Sequence, residues 1–185
     1  MADQVAAGLL SPLLRRSRIG MARPYLVGRV LDIGCGVGAL SRYCSRDGYI
    51  GVDPDEESVA LARRSNPGFR FEREIPAEGN FDTIVGLAVI EHICDPGAWI
   101  TSLGLRLTDC GKLLLTTPHP SFEWVHTWGS RLGVFSAEAA DEHERLIDRA
   151  AMAILAREAG LEVTIYRRFL MGANQLFVLS PLSAA

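Results

Sequence analysis

The chain has 185 residues, 48% of them hydrophobic, with a formal net charge of −3. That length suits one domain with a sizeable core, and the acidic balance argues against a protein that lives on nucleic acid, whose phosphates call for a basic excess. No apolar run reaches the length of a bilayer span, and the N-terminus carries an early acid without a signal-peptide pattern, so a cytoplasmic protein is expected.

Residues 2 to about 28 read as a helical lead-in. Leu9, Leu10, Leu13 and Leu14 fall on one helical face, with the basic patch Arg15, Arg16 and Arg18 beyond them. Such a helix either covers a sheet edge or forms a lid over a ligand, with an Arg near a carboxylate. Next comes Val30-Leu31-Asp32-Ile33-Gly34-Cys35-Gly36-Val37-Gly38, a short buried strand running into alternating glycines and then a helix predicted over 39–47. Glycines there let the backbone turn through left-handed dihedrals and let a ligand approach main-chain N–H groups. A second strand, Tyr49 to Asp53, ends in an acid about twenty residues on, where a nucleotide ribose is usually held. Pro54 follows at a turn.

Asp55 is a good N-cap for a helix over Glu56–Ser65, which Asn66-Pro67-Gly68 stops. Phe69 and Phe71 alternate in a short third strand, followed by the charged loop Glu72-Arg73-Glu74. Phe81 to Val89 is β-branched and apolar enough for a central parallel strand, and Glu91-His92 begins the turn after it. A helix over about 98–107 follows. Asp109-Cys110-Gly111-Lys112 reads as the turn into a fifth strand, Leu113 to Thr117.

Residues 118–141 form the longest stretch without clear periodicity. They hold His119, Phe122, Trp124, His126, Trp128 and Phe135, aromatics suited to walling an acceptor or to packing on the sheet or on a partner subunit. A helix over about 142–159 and strands over 161–166 and 175–179 close the chain. The alternation of strands and helices gives an α/β, doubly wound, three-layer architecture. Cys35, Cys44, Cys94 and Cys110 make no C-x-x-C pair, which predicts reduced thiols and no metal site.

The spacing G-x-G-x-G, with Asp32 two positions ahead of it, departs from the G-x-G-x-x-G of dinucleotide folds, and this sets aside a nicotinamide-dependent dehydrogenase. An acid so close to the turn repels a pyrophosphate and suits a ligand bearing a cationic amine. This stretch resembles the first motif of the class I S-adenosylmethionine-dependent methyltransferases, V-L-D-x-G-C-G-x-G. Phe81 to His92 resembles their fourth motif. The resemblance runs over nearly the whole chain and implies a mostly parallel seven-stranded sheet with a terminal antiparallel hairpin. It also implies an N-terminal helical lead-in or lid over residues 1–28 and a cofactor-binding domain over 29–185, with an acceptor insert at about 118–141.

By that resemblance S-adenosyl-L-methionine is the cofactor and S-adenosyl-L-homocysteine the product. Asp32, Gly34, Cys35, Gly36 and Gly38 hold the amino-acid end, Asp53 and Pro54 the ribose, and Leu87 and Ala88 line the adenine or methyl side. The family's usual Asp facing the adenine amino group is missing, so Glu72 or Glu74 stands in, or Arg73 offers its backbone. Leu87 to His92, Thr116-Thr117-Pro118 and Gly172 to Leu176 look most like small methyltransferases encoded with polysaccharide or secondary-metabolite genes. This favours a small-molecule acceptor, an oxygen of a sugar or secondary metabolite, and a monomer or homodimer.

A base is needed only for a weakly nucleophilic acceptor, and His92 and His119 are the candidates, each following the C-terminal end of a parallel strand. His126 ranks behind them, and His143 reads as a helix-start residue. Glu91 either orients His92 or caps the next helix. Related quinone-pathway O-methyltransferases carry a further Glu where this chain has Ala88, which argues against a metal there. The competing readings are a non-catalytic adenosyl-ligand-binding or partner-assembly module and a methyltransferase for protein or RNA.

Overall fold

A computed structural model describes residues 2–77, 79–122 and 147–182, with side chains from residue 12 onward and without that of Phe122. The strands are β1 (Val30–Ile33), β2 (Tyr49–Val52), β3 (Arg70–Glu72), β4 (Phe81–Leu87), β5 (Leu107–Pro118), β6 (Leu161–Phe169) and β7 (Asn174–Pro181). They form one seven-stranded sheet in the order β3-β2-β1-β4-β5-β7-β6. The first five are parallel, while β7 runs antiparallel to both β5 and β6. This is the doubly wound sheet with a terminal antiparallel hairpin that the sequence implies.

Among the described residues the α-helices are α1 (Ala2–Ala22), α2 (Glu56–Ser65), α3 (Pro96–Gly104) and α4 (Arg149–Glu158). Period-two alternation in the strands sends side chains into two separate cores. Leu31, Ile84, Leu113, Leu115 and Phe177 pack against Ile100 and Leu103 of α3 and Met152 and Ala156 of α4. On the other face Val30, Val85, Leu114, Leu176 and Val178 meet Ile19 and Ala22 of α1 and Val59 and Ala62 of α2. No described helix is long and apolar enough to cross a membrane.

Several boundaries differ from expectation. Residues 39–47 do not make an α-helix; a 3-10 turn spans Ala39–Tyr43, where the Ser41 hydroxyl donates to the Gly38 carbonyl at 2.7 Å and takes an acceptor the helix would need. Asp109 to Lys112 is not a turn ahead of the strand. It is absorbed into β5 as an irregularity opposite Phe81 and Thr83, where Gly111 leaves room that a Cβ would close to 2.9 Å from the Phe81 carbonyl. α3 starts at Pro96 because the Asp95 side chain caps it, accepting from the Ala98 N–H at 3.0 Å, so Glu91 is not the cap. In α1 Ile19 and Ala22 are buried against the sheet, Leu13 is 56% exposed and Leu14 is half-buried, while the side chains of Leu9 and Leu10 lie outside the described residues. α4 begins at Arg149, capped by Asp148. Trp124, His126, Trp128, Phe135 and His143 lie outside the described residues.

Candidate functional site

The parallel strands all end on one edge of the sheet. There β1 turns one way toward β2 and the other toward β4, so the strand order reverses and leaves the crevice in which open α/β sheets bind ligands. Gly34, Gly36 and Gly38 follow β1 at this edge with φ of +67°, +51° and +73°. Each has a different reason to lack a side chain. A Cβ at Gly34 would lie 2.6 Å from Val89 Cγ2, and one at Gly38 would lie 2.5 Å from the Phe71 ring. At Gly36 nothing lies within 4 Å. The outer two glycines are required by packing, and the middle one keeps open a cradle that a Cβ would enter.

Beneath the turn Asp32 sits in mid-sheet between Gly51 and Val85, 3% exposed. Its partner is neutral: the Tyr49 hydroxyl donates to Asp32 Oδ2 at 2.6 Å. Burial, opposed by that hydrogen bond and assisted by the charge of Asp53, pushes the Asp32 carboxyl up to about 7. Gly51 makes this contact possible, since a Cβ there would stand 2.9 Å from the Tyr49 hydroxyl oxygen and 2.7 Å from Phe71. Phe71 thus wedges against Gly38 and Gly51 while stacking edge-on with Tyr49 at 5.7 Å. A buried acid with no described cationic partner is the charge pattern expected where a ligand brings the cation.

Asp53 joins the same edge. Its Oδ2 accepts from the Gly36 N–H at 2.8 Å and its Oδ1 from the Asp55 N–H at 3.0 Å, so the second acid and the cradle are tied together. Each oxygen keeps a further lone pair for a ligand hydroxyl. Cys35 faces two acids, and burial with those charges raises its thiol well above the ordinary range, which makes it an inert packing group. Asn66, at the C-cap of α2, is buried and donates to the carbonyls of Val37 and Ala62, both at 3.0 Å.

Opposite the glycine turn, β4 ends at Leu87 and Ala88 follows it, both half-buried. Ala88 holds a left-handed φ of +60°, anchored by its N–H to the Thr116 carbonyl at 2.9 Å. A non-glycine residue in that region is strained, and such positions gather at ligand sites. Pro54 is exposed beside Asp53. The Arg73 side chain reaches Glu56 at 3.4 Å and Glu72 pairs with Arg70 at 2.6 Å, while Glu74 is exposed.

The two candidate bases differ. His92 ends the 3-10 turn Ile90–His92 and is exposed, while its neighbour Glu91 is buried. His119 Nδ1 accepts from the Ser121 N–H at 3.0 Å, which leaves the proton of the neutral ring on Nε2. In this arrangement His119 can donate a hydrogen bond, and it can take a proton only by releasing Ser121. Desolvation, with the charge of Arg168 adding to it against that of Asp148, lowers its pKa and favours the neutral ring.

The sequence reading therefore finds the turn and both acids and misses Tyr49, Phe71 and Asn66, which hold them. One signal for Tyr49 is on the sequence: a glycine inside a strand, Gly51, marks a close approach by another group.

The sequence matches the family described as a methyltransferase domain over residues 3–165. It is 28% identical over 163 residues to a ubiquinone biosynthesis O-methyltransferase of Rhizobium johnstonii, covering 77% of this chain. The chain spans 63% of the length of that relative. A chain from the complex between the Haloferax volcanii Trm112 methyltransferase activator and a putative methyltransferase superposes with a TM-score of 0.73 at 16% identity, covering 97% of both chains. Magnesium protoporphyrin IX methyltransferase from Synechocystis with bound SAH superposes with a TM-score of 0.65 at 18% identity, covering 98% of this chain and 84% of that one. These two likenesses concern the fold.

Proposed function

The chain belongs to the methyltransferase-domain family, and we propose that it moves the methyl group of S-adenosylmethionine to an oxygen of a small-molecule acceptor. The observation that carries this reading is the open cradle at Gly36 between two acids, one buried beneath it and one bonded to it. These residues fit the ligand. Backbone at the cradle receives its amino-acid end, Asp32 supplies the charge that complements its ammonium, and the free lone pairs of Asp53 accept the ribose hydroxyls. Leu87 and Ala88 wall the reacting side and exclude water, while Arg73 or its neighbours border the adenine.

When bound, S-adenosylmethionine supplies an already activated methyl electrophile, so the protein's task is mainly alignment. Orientation of two reactants can contribute on the order of 7–11 kcal/mol to such a step. Where the acceptor is a hydroxyl, a base takes its proton. Exposed at the strand-end edge, His92 is the first choice, with His119 available once Nδ1 leaves Ser121.

Oxygen as the accepting atom is favoured by the relatives' name, ubiquinone biosynthesis O-methyltransferase. A sugar or secondary-metabolite acceptor rests on the resemblance of Leu87 to His92, Thr116 to Pro118 and Gly172 to Leu176. With Ala88 in place of the further Glu of quinone-pathway enzymes, the reading includes no metal step.

Calorimetric titration with S-adenosylmethionine and S-adenosylhomocysteine tests the cofactor, and a panel of phenols and hydroxylated sugars with labelled methyl donor tests the acceptor. Micromolar binding is expected, weakened roughly tenfold or more by Asp53→Ala, which removes charge-assisted hydrogen bonds. A folded protein that binds neither ligand would overturn the proposal. Binding without methyl transfer across the panel would favour the non-catalytic module.

A further inference from the structure

The motif Gly172-Ala173-Asn174-Gln175 finds no role in holding the cofactor, yet it lies at the same edge as the site. β7 begins at Asn174, opposite Pro118, so its first residues face the C-terminal end of β5. The turn before it is built from three left-handed residues, Leu170 (φ +52°), Met171 (φ +53°) and Gly172 (φ +90°). Arg168 clamps this turn with Nε and Nη2 on the Gly172 carbonyl at 3.2 and 2.8 Å.

Gln175 is fully buried, and both ends of its amide are bonded. Both N–H groups on Nε2 are committed, one to the Pro118 carbonyl at 3.1 Å and one to the Ile147 carbonyl at 2.6 Å. Its Oε1 accepts from the Tyr166 hydroxyl at 3.3 Å. Pro118 is where the chain leaves β5, and Ile147 is where it comes back to α4. One side chain therefore holds two points of the backbone that are 29 residues apart in sequence, as 147 − 118 gives. A backbone bond from the His119 N–H to the Ala173 carbonyl at 2.9 Å fastens the first of them again. An apolar residue of the same size would fill the space but remove the Gln175 donor from the buried Ile147 carbonyl and from the partly buried Pro118 carbonyl.

We propose that Gln175 is a positioning residue for the acceptor: it sets the separation of Pro118 and Ile147, and with it the width of the acceptor side of the crevice, without touching the cofactor. This rests on the reading above that the acceptor enters at this edge.

The test compares Gln175→Met, which keeps length and loses both N–H groups, with Thr117→Val as a control. Thr117 is the cross-strand neighbour of Gln175, fully buried, and its hydroxyl has no hydrogen-bond partner in the structure. Amide hydrogen exchange should quicken about tenfold or more at His119, Ser121 and Ala151 in Gln175→Met, while the strand amides of β1 and β4 keep their protection. Thr117→Val should change none of these, and affinity for S-adenosylmethionine should stay within about twofold in both variants. With any panel acceptor that the parent methylates, KM should rise about tenfold at unchanged cofactor affinity. Should Gln175→Met not fold, Tyr166→Phe, which frees only Oε1, should move the same amides by less.

Unchanged exchange at both points, or an equal loss of protection across the sheet, would overturn the proposal. So would a fall in cofactor affinity matching the change in KM. A parent that binds cofactor and methylates nothing would sink the acceptor reading alone, and the exchange data would still decide the role of Gln175.

Discussion

Asp32 makes the folded state sensitive to pH in a direction opposite to most surface acids. Its carboxyl is raised from 3.8 to about 7 by burial. A group whose folded pKa is raised contributes stability that is fully present below its unfolded pKa and is lost as pH rises through the folded one. The ionised acid should thus cost the ligand-free protein roughly 4 kcal/mol above pH 7, a loss that builds up between about pH 4 and pH 7. Asp32→Asn is expected to melt higher than the parent at pH 8 and close to it at pH 4. The same variant should bind S-adenosylmethionine more weakly, because the charge that complements the ammonium is gone. Thermal melts across this range with calorimetry at pH 8 check both; a parent and variant that melt alike at pH 8 would refute the account.

At the scale of the element, the turn after β1 separates two duties that its glycines share in sequence. Gly34→Ala and Gly38→Ala drive a methyl into Val89 and Phe71 as well as straining φ, and should each cost about 2 kcal/mol or more. Gly36→Ala strains φ alone, which costs roughly 1 kcal/mol, since open space surrounds it. Its effect should appear in binding. Denaturant unfolding and calorimetric titration together distinguish the outcomes, and a Gly36→Ala protein that keeps parental affinity would remove the cradle from the site. The contrast is invisible in the sequence, where the three positions look alike. What differs is the neighbour each meets: Phe71 arrives from β3 and Val89 from the segment after β4, both far along the chain.

For the whole molecule, closure of the second core depends on α1. Ile19 is 8% exposed against the sheet, and Ile19→Ala should cost about 2–4 kcal/mol. Leu13 is 56% exposed, and Leu13→Ala should stay within about 0.5 kcal/mol. Chemical denaturation of the two variants measures the difference; equal losses would mean that α1 docks by another face. Helical periodicity identified α1 and grouped its leucines on one face, but no local pattern singles out Ile19 and Ala22, one turn further on, as the residues that pack on the sheet. Which face docks is decided by the shape of the sheet, and the Arg18 bond to Asn174 at 3.1 Å adds a link across 156 residues that no local pattern carries.

What the sequence by itself determined was what depends on neighbours along the chain. Strand–turn–helix alternation pointed to the doubly wound α/β class, and the resemblance of the motifs implied the terminal hairpin. Glycines beside Asp32 marked a turn built for close approach, and Asp53 at the end of β2 marked its companion. Capping by Asp55 was equally legible, because an N-cap bonds three residues ahead. Only the tertiary structure decided that Tyr49 reaches Asp32, that Phe71 fills the space of two missing side chains, and that Gln175 joins Pro118 to Ile147. Each is a contact between segments that chain order holds apart, made when β-pairing and two packed cores set the distances. The physical reason is the same in all three: backbone preference is local, whereas a buried polar group must find its partner wherever the fold brings one.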